Sequence, residues 1–203
     1  MHADSVATIA DIDLQELRNL DTWNESQNSF FVDALAHASK HGDVVRLGDL
    51  LDASKRAYPI TNDPYAAYHM ALVYACMFAK IEAVTTLLKD SRVEPCYRQN
   101  AALRVACSID NEGIVQTLLD DPRVDPSFDD CAVLFTVCEL GGYKVIPCLL
   151  SHPSVQRVLR TDLLRDHAFR FRNTMALREI IIHAKPGHAS GLSSSGVGNS
   201  LAY

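Results

Sequence analysis

Apolar residues fall along this chain in paired positions with one fixed spacing. Leu87-Leu88, Leu118-Leu119, Leu149-Leu150 and Ile180-Ile181 each stand 31 residues after the pair before. The same period carries Leu72, Leu103 and Leu134; Ala75, Ala106, Val137 and Ala168; and Val84, Val115, Ile146 and Leu177. Val93, Val124 and Val155 form a further column, as do Pro95 and Pro126. Columns this numerous at one spacing mark an internal repeat. An earlier, looser copy ends at Leu50-Leu51, set apart from the next by six extra residues around Pro59-Ile60-Thr61-Asn62-Asp63-Pro64.

Within a unit the apolar positions predict two short helices. In residues 101–109, Leu103, Ala106 and Cys107 lie at i, i+3 and i+4, one face of a helix. A polar break, Asp110-Asn111-Glu112-Gly113, precedes a second apolar face made by Ile114, Val115, Leu118 and Leu119. Asp121-Pro122 stops that helix, because a residue before proline avoids the helical region, and Arg123-Val124-Asp125-Pro126-Ser127 reads as an extended turn into the next unit. A helix pair of this size cannot bury its apolar faces alone, so the copies must stack.

The chain here resembles the ankyrin repeat family. The likeness lies in Asn100-Ala101-Ala102-Leu103-Arg104-Val105-Ala106-Cys107, then Ile114-Val115-Gln116-Thr117-Leu118-Leu119. It extends to the turn Asp121-Pro122-Arg123-Val124-Asp125-Pro126 and its echo Asp90-Ser91-Arg92-Val93-Glu94-Pro95, a variant similar to that of protist and giant-virus ankyrin proteins. The resemblance implies an all-α fold, an ankyrin-type α-solenoid of about five stacked helix–turn–helix repeats over residues 30–183, with units ending near 51, 88, 119, 150 and 181. It departs from the family in its period of 31, which suggests shortened fingers, and in lacking the Thr-Pro helix opening. Only Gly42 and Gly141 keep the glycine expected between paired helices, and the fifth unit is degenerate.

Composition and charge narrow the class. With 203 residues, 48% of them hydrophobic, the chain has the makings of an ordinary buried core. The net charge of −6 disfavours nucleic acid and anionic membrane as partners. No apolar run approaches the ~20 residues that span a bilayer, and the polar N-terminus has no secretory core, so an intracellular location, cytoplasmic or nuclear, is expected. Charge is uneven: residues 1–50 carry nine acids against three bases, whereas residues 143–183 carry Lys144 and six arginines against Asp162, Asp166 and Glu179. Residues 184–203 include five Ser and four Gly and read as a flexible tail. Residues 1–29 read as an acidic segment in which Asp13 and Glu16 frame a short capping helix or a separate docking peptide.

Candidate chemistry is sparse. Cys76, Cys107 and Cys138 share one repeat position and read as reduced core thiols, since neighbouring units ~10 Å apart exceed the ~7 Å Cα separation a disulfide tolerates. Cys96, Cys131 and Cys148 have no regular relation, and no C-x-x-C occurs. His37 and His41, four apart, lack the glutamate of the metalloprotease motif, and His41-Gly42-Asp43 reads instead as the turn between the first unit's helices. Gly196 and Gly198 have no third glycine, Ser190 to Ser195 makes no G-x-S-x-G, and Asn24-Glu25-Ser26 is read as an accidental acceptor match. No metal, cofactor, small-molecule substrate or enzyme activity is expected. Arg157, Arg160, Arg165, Arg170, Arg172 and Arg178 read as a solvated cap, an acidic-protein contact, or a nucleic-acid surface stacked by Phe169 and Phe171.

One further column stands at the end of each first helix: Phe78, Ile109, Leu140 and Phe171, preceded by Met77, Ser108, Glu139 and Arg170. In the family this position is variable and faces the concave groove, so the resemblance implies a partner-binding ridge there, with Tyr97, Arg98, Phe128 and Asp129 at the finger tips. The competing reading is that shortened fingers fold over the column and bury it. The function expected is a protein–protein interaction scaffold with a partner of unknown identity. A structural subunit of a large assembly and a nucleic-acid-binding repeat are the alternatives.

Overall fold

The computed structural model describes residues 25–55 and 66–184, and every regular element among them is an α-helix. In chain order these are α1 (Glu25–His41), α2 (Val44–Ala53), α3 (Ala66–Met77), α4 (Ile81–Leu88), α5 (Tyr97–Ser108) and α6 (Glu112–Leu119). They continue as α7 (Phe128–Leu140), α8 (Ile146–Ser151), α9 (Pro153–Val158), α10 (Thr161–Arg170) and α11 (Thr174–His183). The expected capping helix around Asp13–Leu20, the insert around Pro59–Pro64, Asn24 and the Gly/Ser-rich tail lie outside the described residues.

The helices pack as pairs in two rows. First helices meet in the order α1, α3, α5, α7, α10, and second helices in the order α2, α4, α6, α8, α11. The periodic columns of the sequence are the core of this arrangement. Leu72, Leu103 and Leu134 are buried, as are Ala75, Ala106, Val137 and Ala168 on the same row. Leu87, Leu118, Leu149 and Ile180 are buried on the second row. Small residues in the alanine column let neighbouring first helices approach, while each buried leucine contributes about 1.5–3 kcal/mol relative to exposure.

The turn inside each pair has one conformation. Gly42, Ala79, Asp110, Gly141 and Arg172 all take positive φ, between 54° and 84°. Glycine stands at only two of these sites, yet the left-handed turn is kept at all five. Polar side chains then start the second helices: Asp43 accepts from Arg46 N at 3.0 Å, Asn111 from Ile114 N at 3.1 Å and Asn173 from Ala176 N at 2.9 Å.

The connections between pairs differ from the plain extended turn that the sequence suggests. Arg92 is held by Asp90 at 2.6 Å and donates to Ser54 Oγ and Leu51 O, on the preceding pair. Arg123 repeats the arrangement, with Asp121 at 2.6 Å and Val93 O and Leu88 O as acceptors. Each guanidinium thereby satisfies one carbonyl that the end of a second helix leaves open, Leu51 O or Leu88 O. One period later His152 and Ser154 replace Asp and Arg, the guanidinium tie gives way to a hydrogen bond from Ser154 Oγ to Asp125 Oδ1 at 2.8 Å, and Pro153 opens the short helix α9. The first helices also begin earlier than the apolar pattern indicates, through three residues in left-handed geometry: Arg98, Gln99 and Asn100 in α5, and Asp129, Asp130 and Cys131 in α7.

Candidate functional site

The column of Phe78, Ile109, Leu140 and Phe171 lies just past or at the last residue of α3, α5, α7 and α10. Helix propagation puts it there. Phe78 N still donates to Tyr74 O and Ile109 N to Val105 O, so each side chain projects from the final helical turn before the chain reverses. The reversal is the left-handed residue that follows each one: Ala79, Asp110, Gly141 and Arg172. The four side chains are 40%, 40%, 60% and 47% exposed, so none of them is buried under a finger among the described residues. Met77 is also exposed, as are Glu139 and Arg170.

Polar groups frame this apolar line. At one end the Lys40 ammonium lies 5.0 Å from the Phe78 ring centroid. At the other, the His167 ring lies 4.8 Å from Phe171 and 5.2 Å from Phe135, and its Nε2 meets Glu139 Oε1 at 3.0 Å. Lys40, Phe135 and His167 were not singled out from the sequence. For Lys40 the signal was available, because it precedes the Gly42 turn by the same two residues that separate Met77 from Ala79.

The expected finger-tip residues stand at the start of α5 and α7. Tyr97 is half-buried, its ring 4.6 Å from His69, and Arg98 lies over it at 5.6 Å. Phe128 and Asp129 are exposed one period later and border a depression of about 30 Å³. The ridge and these helix starts are at opposite ends of the first helices.

The cysteine column is buried at all three positions. Burial pushes the Cys76 thiol up to about 12 and Cys138 to about 11, and raises Cys107 further. Cys96 is exposed, with its thiol raised first by a hydrogen bond to Glu94 and then by partial burial. His37 and His41 stack at 4.3 Å beside the Gly42 turn, and burial followed by the neighbouring His41 lowers the basicity of His37. Among the described residues no group of three or more His, Cys, Asp or Glu could hold a metal ion, and no helix is long and apolar enough to cross a membrane. All six arginines from Arg157 to Arg178 are exposed. Of these, Arg160 pairs with Asp162 at 3.0 Å.

Comparison of the chain with protein-family models, with curated proteins and with solved structures finds no match.

Proposed function

We propose that this chain is a non-catalytic protein-interaction scaffold of the ankyrin-repeat type, binding a segment of a partner protein along the line of Phe78, Ile109, Leu140 and Phe171. The observation that carries this reading is that four large apolar side chains, recurring every 31 residues, all remain 40–60% exposed on one row of helix ends. Recurrent exposed apolar surface marks an interaction site, and aromatic anchors dominate binding energy. The family reading is supported by the helix pairs, the small-residue column between first helices and the shared left-handed turn inside each pair.

The mechanism is rigid presentation. Anchors fixed on stacked helices lose little freedom on docking, so the burial of each contributes directly to affinity. Packed helices stand about 8–10 Å apart, and a polyproline-II segment rises ~3.1 Å per residue with three residues per turn. Every third residue of such a segment therefore meets successive ridge positions from one side. The partner segment is accordingly extended, with apolar residues three apart.

Selection from a random-peptide display library tests this without knowledge of the natural partner. Peptides retained by the wild type are expected to share apolar residues at every third position and to be released by Phe78→Asp/Leu140→Asp. Retained peptides without that spacing, or retention unaffected by the double substitution, would overturn the reading.

A further inference from the structure

The last pair, α10–α11, exposes the face that each earlier pair turns toward its successor. Cys76, Cys107 and Cys138 are buried at a position that Phe169 holds one period later, and Phe169 is 74% exposed. Leu119 and Leu150 are buried at a position held by Ile181, which is 63% exposed. Ala168, Phe169 and Leu177 line an open groove of about 570 Å³, together with Arg170 and Arg172. A terminal repeat that served only as a soluble cap would carry polar residues on this face. This one carries apolar residues and arginines. Arg165, Arg170 and Arg172 are exposed, and none of their side chains forms an ion pair or hydrogen bond among the described residues.

We propose that this end face docks the N-terminal segment, residues 9–23, of a second copy of the chain, joining copies head to tail. Two sequence features select that occupant. Leu14, Leu17 and Leu20 recur at intervals of three, each a neighbour of the next on a helix surface, with Ile9 and Ile12 before them and Trp23 after. Residues 1–24 also carry five acids, Asp4, Asp11, Asp13, Glu16 and Asp21, against Arg18 alone, a balance of −4 that complements the arginines of the end face. Residues 185–203 fit less well: they hold Lys185 and no acid, and four Gly and five Ser among few apolar residues.

Reach decides that the segment comes from another copy. Trp23 is two residues from Glu25, the first residue of α1. Two residues span at most ~7 Å, whereas four steps between packed first helices, at about 8–10 Å each, separate α1 from α10. The segment that would dock is therefore tethered too far from its own end face. A contact between unlike surfaces leaves one of each free, so the assembly grows beyond a dimer.

Sedimentation velocity on the full chain tests the proposal. The wild type is expected to grow past dimer with concentration and to dissociate at high salt, which screens the arginines. A segment variant, Leu17→Asp/Leu20→Asp, and a face variant, Phe169→Asp/Ile181→Asp, should each be monomeric while circular dichroism shows wild-type helicity. Mixed, they should form a dimer and stop there, because one retains only the face and the other only the segment. A monomeric wild type at low salt, continued association of either variant, or a mixture that stays monomeric would overturn the proposal. Should the segment variant lose helicity, a synthetic peptide of residues 5–24 replaces it. The peptide should return the wild type to monomer and fail to bind the face variant; equal binding to both overturns the proposal.

Discussion

Replacing Ala79 by glycine should stabilise this protein, whereas the same change at Asp110 should destabilise it. Both residues occupy the left-handed turn inside a helix pair, with φ of 55° and 54°. That conformation costs an L-residue about 1–2 kcal/mol. Glycine removes the cost but returns about 0.4–1 kcal/mol through the greater freedom of its unfolded chain. Ala79 is exposed and its methyl group holds nothing in place, so the balance for Ala79→Gly is a gain of about 0.5–1 kcal/mol. At Asp110 the side chain does more: Oδ1 accepts from Tyr143 N at 3.1 Å and from Val145 N at 3.2 Å, fastening one pair to the next. Hydrogen bonds to a charged group contribute about 1.5–3 kcal/mol, which exceeds the relief of strain. Urea titrations followed by circular dichroism should move the Ala79→Gly midpoint up and the Asp110→Gly midpoint down. Thermal melts should show the first as a rise of ~1–4 °C for a chain of this size. If both midpoints move in the same direction, or Ala79→Gly lowers stability, the turns do not store the strain assigned to them.

Further outcomes follow from the ties, the thiols and the ridge. Arg123→Ala leaves Asp121 and the carbonyls of Leu88 and Val93 without their donor and should cost about 2–4 kcal/mol in a urea titration, with no rescue by Lys, which lacks the planar fork; a loss below ~0.5 kcal/mol would refute the tie. The hydrogen bond from Arg123 holds the Asp121 carboxyl below the usual aspartate value of about 3.9, so its contribution is fully present above about pH 4 and fades as pH falls further. The stability gap between wild type and Asp121→Asn should therefore narrow on acidification, and a gap that widens contradicts the assignment. Alkylation of the native protein at neutral pH, read by peptide mass, should modify Cys96 well before Cys76, Cys107 and Cys138; equal rates would place the column in solvent. Because Leu140 is 60% exposed, Leu140→Ala should shift the melting temperature by less than ~3 °C, and a larger loss would mean that this residue is core.

The helix pairs and most core positions were legible because burial repeats with the chain: Leu103, Ala106 and Leu118 are inside for the same reason as Leu72, Ala75 and Leu87. Departures arise where long-range contacts override local preference. Arg98 and Gln99 carry no mark of left-handed geometry, so the start of α5 read as loop. The recurrence of Asp-x-Arg-Val at 90–93 and 121–124 was visible, but its acceptors lie 30 to 41 residues away and only the stacking of pairs brings them within reach. Helix α9 appears where that motif is lost. The ridge residues were named from the sequence. Their exposure was not decidable there, because a finger folded over them would give the same apolar column.

Photo-crosslinking from the ridge tests the central claim most directly. A benzophenone amino acid at Ile109 is expected to join the chain to one partner protein in cells, through a segment with apolar residues three apart. The same probe at Gln116, exposed on the row of second helices, should leave that partner unlinked. Equal yields from both positions, or adducts from Ile109 that stay within the chain, would contradict the account.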